Sequence, residues 1–161
     1  MCFWKNLAKF VGMKQSIDFL PERKQRDLHE LVGLIRNEVE DVVMIILYGS
    51  YARNTYVELD IRRDYGGGKI QYMSDYDILV VSKKRLGSRT VTVSSRVKSS
   101  FLKNKNANTQ TRPSIINESI TKFNNALSEG RYFYVDILTE GIVLYAVSYT
   151  HLRAHETCAD L

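Results

Sequence analysis

Cysteine is nearly absent from this chain: Cys2 and Cys158, at opposite ends of 161 residues, are the only two. Thiols so far apart supply neither a disulfide framework nor the paired spacing of a zinc site, and they read as incidental. Also missing is any apolar stretch approaching the roughly 20 residues that a membrane span requires. The opening segment MCFWKNLAKFVG has no uninterrupted hydrophobic region and no cleavage site, so a cytoplasmic location is expected. The one glycine cluster, Gly66-Gly67-Gly68, is not followed by Gly-Lys-Ser/Thr, which excludes a phosphate loop of the Walker type. No internal repeat is visible.

What remains is the composition of one soluble globular domain, 44% apolar and 25% charged. The length allows one ordinary core and is too short to count on two. A net charge of +5 suits an anionic ligand without separating a nucleotide from RNA or an acidic partner.

Apolar periodicity sets the expected elements. Leu28, Leu31, Val32, Ile35 and Val39 recur at helical spacing after Pro21, predicting a helix over 21–40 that lies across a sheet. Val42–Tyr48 is a continuous apolar run ended by glycine, the pattern of a central strand covered on both faces. Residues 56–61 and 69–73 flank a glycine-rich tip and predict a hairpin whose tip is an exposed turn or a cover for bound nucleotide. Tyr76–Ser82 reads as a second strand, and Val93, Val97 and Phe101 predict a helix over 88–102. The asparagine-rich segment 103–113 reads as a loop. A helix is then expected from Ser114, with Ile116, Ile120, Phe123 and Leu127 on one face and Gly130 as its stop. Residues 132–138 are expected to be the third core strand, and 143–145 a short edge strand.

Two motifs carry chemistry. In MSDYDILVV a period of two points Asp75 and Asp77 to the same face of a strand. Carboxylates so placed repel unless a cation lies between them, and hard divalent cations such as Mg²⁺ take carboxylate oxygens, waters and substrate phosphates. The second motif is Gly49-Ser50, between the first apolar strand and the polar segment SYARNTY, where glycine admits close approach of a ligand to the backbone. A third acid, Asp136, stands in the apolar run RYFYVDILTEG, where a metal ion or Arg53 would compensate its charge. His29, beside the first helix's apolar stripe, has no acid or nucleophile spaced to work with it and reads as a partly exposed helix residue.

Gly-Ser followed by Ala-Arg, then Asp-x-Asp entering an apolar strand, then a third aspartate, resembles the DNA polymerase beta-type nucleotidyltransferase superfamily over roughly residues 13–145. Small bacterial domains of that superfamily that pair with, or are fused to, HEPN domains are the nearest likeness. The resemblance implies an α/β (α+β) fold, a mixed central sheet flanked by helices, here with an inserted β-hairpin. It implies two Mg²⁺ ions and ATP or another NTP as substrate, with transfer of a nucleoside monophosphate to a hydroxyl. Asp75, Asp77 and Asp136 would be the catalytic metal ligands, and Gly49 and Ser50 would bind phosphate. Arg53 would brace the site by pairing with an acid or else touch the phosphates. The implied acceptor is a tyrosine of a HEPN ribonuclease partner; a small hydroxylated molecule such as an aminoglycoside, or an idle module that only binds, are the alternatives. Two departures stand out: Asn54 occupies the place of the usual second glycine, and the gap from Ser50 to Asp75 is longer than usual.

Boundaries follow from the same comparison. Residues 1–12 read as an extension that is not native, 13–146 as the nucleotidyltransferase domain, and 147–161 as a foreign tail. VSYTHLRAHETCADL resembles the translated read-through of a sequencing adapter, which would have removed a HEPN portion; no Arg-x4-His ribonuclease motif precedes it. His151 and His155, four apart, lack a third ligand and are not read as a metal site.

Overall fold

The computed structural model describes residues 12–103, 105–106 and 110–147. Readings that fall on the two cysteines, on His151 and His155 and on residues 148–161 lie outside the described residues.

Among the described residues eleven elements follow one another: α1 (Glu22–Glu38), β1 (Val42–Tyr48), α2 (Gly49–Ala52), β2 (Asp60–Arg63), β3 (Lys69–Tyr72), β4 (Tyr76–Ser82), α3 (Arg89–Leu102), β5 (Pro113–Ser119), α4 (Ile120–Ser128), α5 (Tyr132–Glu140) and β6 (Ile142–Ala146). Four strands form a mixed sheet in the order β5-β4-β1-β6. β1 is antiparallel to both β4 and β6, and β4 runs parallel to β5. The expected mixed sheet flanked by helices is therefore present, with β1 in its interior as its unbroken apolar run required.

The pleat divides this sheet's side chains between two cores. Ile45 and Leu47 of β1, with Ile78 and Val80 of β4, pack under Leu28, Leu31 and Ile35 of α1 and Val93, Val97 and Phe101 of α3. Met44 and Ile46, with Leu79 and Val81, pack under Ile120, Phe123 and Leu127 of α4 and Tyr134 and Ile137 of α5. Because residues two apart share a face, Asp75 and Asp77 belong to the α4/α5 side and Tyr76 to the α1/α3 side.

Two expected elements are corrected. Residues 114–119 are strand, not the start of a helix. Ile116 and Ile120 fall four apart by coincidence, with Ile116 facing the second core from β5 and Ile120 opening α4. Ser119 marks the change, its side chain accepting a hydrogen bond from the Lys122 amide at 3.2 Å as the N-cap of α4. Residues 132–138, expected to be a strand, are the helix α5. Its aromatic and β-branched composition favours strand, but Tyr134 and Ile137, three apart, are the pair that the helix buries. The turn into it needs a left-handed residue, which Gly130 provides at φ +67°. The segment expected as a polar loop also ends earlier, since Gln110 and Thr111 are buried and Pro113 begins β5.

The expected hairpin is present as β2 and β3, shorter than expected, and forms a sheet of its own. All of β3 and most of β2 are exposed, and Arg63 sits directly opposite Lys69. Its root is clamped by two hydrogen bonds of 2.9 Å between Val57 and Ser74. Among the described residues, no helix is long and apolar enough to cross a membrane.

Phe101 is fully buried where α3 meets the sheet. Phe101→Ala is expected to cost roughly 3–5 kcal/mol of stability, read as a fall in the urea midpoint with little change in slope.

Candidate active site

The pairing of β1 with β4 sets Tyr48 opposite Asp77, so the chain leaves β1 at the height where the acid pair begins. Gly49, the next residue, has φ +71°, a conformation in which any Cβ is strained. Space forbids one as well: a Cβ on Gly49 would lie 2.5 Å from Asp77 Oδ2 and 3.3 Å from its Cγ. The Asp77 carboxylate thus rests against bare backbone at the turn into α2, a single helical turn carrying Ser50. Asn54, in the place where the resemblance expects a second glycine, has φ +58°. That turn still requires the left-handed region, and asparagine is among the side chains best suited to it.

Asp77 is half-buried and Asp75 exposed, and neither carboxylate has a hydrogen-bond or ion-pair partner among the described residues. Burial pushes the Asp77 carboxyl above the ordinary aspartate range, the Asp75 charge adds to this, and Arg53 opposes it. The Tyr48 hydroxyl is pushed up to about 12 by burial and by the Asp77 charge. Two carboxylates are therefore gathered at one end of β4, offset by Arg53 and without a hydrogen-bond donor among the described residues.

Arg53 links this end of the sheet to α5. Its Nη1 lies 3.1 Å from Glu140 Oε2 and 3.8 Å from Asp136 Oδ2, so of the two roles open to it, pairing with acids is the one its contacts display. Asp136 lies on the α5 helix rather than in a strand, on the face of the sheet shared by Asp75 and Asp77. Its carboxylate is turned to Arg53. Among the described residues no group of three or more His, Cys, Asp or Glu side chains is gathered as a metal cluster. The structure thus brings together Gly49, Ser50, Asp75, Asp77 and Arg53, and attaches Asp136 to them through the arginine. Glu140, a second partner of Arg53, was missed in the sequence; its spacing of four from Asp136 becomes a signal once this segment is read as helix.

Two carboxylates with no hydrogen-bond or ion-pair partner among the described residues, Asp75 exposed and Asp77 against a bare turn, are a donor set that fits a hard divalent cation. Asp75 and Asp77 are the residues that would hold it. No protein-family model matches the chain, and no curated protein matches it.

Two outcomes test this geometry. Gly49→Ala should lose about 1–3 kcal/mol in chemical denaturation, from the left-handed backbone and the collision with Asp77 together. The second concerns pH. Because the folded state holds the Asp77 proton more tightly than the unfolded chain, ionising it disfavours folding. That penalty is absent below the ordinary aspartate range and grows as pH rises through the raised folded value. In chelator-treated protein, Asp77→Asn should therefore melt higher than the wild type at neutral pH, with the difference closing as the solution is acidified.

Proposed function

We propose that this chain is a Mg²⁺-dependent nucleotidyltransferase that moves a nucleoside monophosphate, AMP from ATP in the simplest case, to a hydroxyl acceptor. The observation that carries the reading is the approach of the Asp77 carboxylate to the Gly49 backbone, with Asp75 alongside and no hydrogen-bond donor to either acid among the described residues. The resemblance in Gly49-Ser50 and Asp75-x-Asp77 points the same way.

In this reading Asp75 and Asp77 would hold the metal ion beside the Gly49-Ser50 turn. When bound, Mg²⁺ would supply charge neutralisation for phosphoryl transfer. The Gly49 and Ser50 amides and the Ser50 hydroxyl take phosphate oxygens. Arg53, tied to Glu140 and Asp136, holds the one-turn helix α2 against α5 and offsets the charge that gathers at Asp77. The acceptor oxygen forms a bond to the α-phosphorus, pyrophosphate leaves with the electron pair of the broken bond, and the hydroxyl proton passes to solvent. A tyrosine on a HEPN-type ribonuclease partner, or a small hydroxylated molecule, is an acceptor proposed from the resemblance alone.

One observation favours a second reading, a module that binds nucleotide without transferring it. With Asp136 turned to Arg53, two carboxylates rather than three are free for metal. Incubation with α-labelled ATP, Mg²⁺ and candidate acceptors separates the two. Label transfer should fall more than about 100-fold in Asp75→Ala and in Asp77→Ala. Transfer that survives both substitutions refutes the mechanism, and nucleotide binding without transfer in the wild type supports the module.

A further inference from the structure

Beneath the acid pair, on the opposite face of β4, lies a lysine that the proposed chemistry does not use. Lys24, in the first turn of α1, is 1% exposed. Its Nζ donates hydrogen bonds to Thr111 Oγ1 at 2.6 Å and to Tyr51 Oη at 3.1 Å, and those two hydroxyls lie 3.0 Å from each other. The same ammonium lies 5.3, 6.0 and 5.7 Å from the ring centres of Tyr51, Tyr56 and Tyr76. Tyr51 and Tyr76 pack 4.6 Å apart, and Tyr51 stacks on Tyr56 at 4.2 Å. Asp27, one turn along α1, accepts from the Tyr76 hydroxyl at 3.1 Å and from Gln110 Nε2 at 2.9 Å.

The placement of these tyrosines in the chain gives the cage its meaning. Tyr51 directly follows Ser50, and Tyr76 stands between Asp75 and Asp77. The two motifs, 25 residues apart in sequence, therefore turn their chemistry to one side and send one ring each to the other, where both meet a single ammonium. A neutral side chain of similar length would fill the space at lower desolvation cost, since replacing buried charge with well-packed apolar groups is often neutral or stabilising. What it would not do is orient the Tyr51 and Thr111 hydroxyls while attracting several aromatic faces at once.

We propose that Lys24 is a positioning residue for the candidate site: by holding Tyr51 and Tyr76 in one cage, its ammonium sets the Gly49-Ser50 turn against Asp75 and Asp77. This rests on the reading of that site as a metal-nucleotide site. Burial pushes the Lys24 pKa down, while Glu58 and Asp27 act in the other direction, so the cation is held at a cost that a purely space-filling residue would avoid.

Lys24→Met and Thr111→Val test the role, the second deleting one acceptor without loss of volume in case the first fails to fold. Three quantities are read: the melting temperature, the affinity for Mn²⁺ with a non-hydrolysable ATP analogue, and the backbone amide shifts of Ser50, Arg53 and Asp77 in metal-free protein. The expected result is a melting temperature within a few degrees of wild type, an affinity lowered about 10- to 100-fold, and displaced amides at all three positions. Amides that stay in place, or an affinity unchanged in both variants, overturn the role. So does a loss of affinity that follows the loss of stability and recovers when sucrose restores the fold. The underlying reading fails separately, if the wild type does not bind Mn²⁺ with the analogue or if Asp77→Asn leaves binding intact; the amide shifts still decide the positioning role.

Discussion

The candidate site depends on how closely β1 and β4 approach at one end of their antiparallel pairing. Register sets Tyr48 against Asp77, and the next residue must then leave the sheet in a left-handed turn with a carboxylate pressed against its Cα. Both demands fall on Gly49. From that contact follow the half-burial of Asp77, the crowding of negative charge with Asp75, and the place of α2, whose single turn brings Ser50 and Arg53 to the same end of the sheet. The hydrophobic cores on either side hold this pairing rigid, since Ile45 and Leu47 are locked into one layer and Met44 and Ile46 into the other.

Charge at this end is balanced in two ways. On the α4/α5 side the balance is incomplete: Arg53 is shared among Asp136, Glu140 and the field at Asp77, and among the described residues the acid pair has no hydrogen-bond donor of its own. On the α1/α3 side it is closely fitted, with Lys24 enclosed by hydroxyls and rings and Asp27 by Tyr76, Gln110 and Lys105. A buried ion with protein partners thus lies on one face and a more exposed acid pair on the other, separated by the thickness of one strand.

Much of this was legible in the sequence, and the parts that were not share a cause. β1, β4, α1 and α3 each bury a pattern that their own residues spell out, a continuous apolar run or a repeat of three and four. Gly49, Asp75 and Asp77 could be placed together because each stands at an element's end. β5 and α5 could not be read this way. Ile116 and Ile120 mimic one helical face although a strand–helix junction passes between them, and the parallel pairing of β5 with β4 depends on residues 35 or more positions away. The α5 segment is richer in strand formers than in helix formers, and packing of Tyr134 and Ile137 on the sheet outweighs that preference. That reading placed Asp136 in a strand rather than on a helix and hid Glu140. Lys24 was equally invisible, because a lysine in the first turn of an amphipathic helix ordinarily points to water.

The long interval between Ser50 and Asp75 has a simple architectural meaning. Val57 and Ser74 meet through two hydrogen bonds, so the chain between them departs from the domain and returns to nearly the point it left. The β2–β3 ribbon is thus an appendage grafted onto a closed ring. Its length and surface could therefore change without displacing either motif.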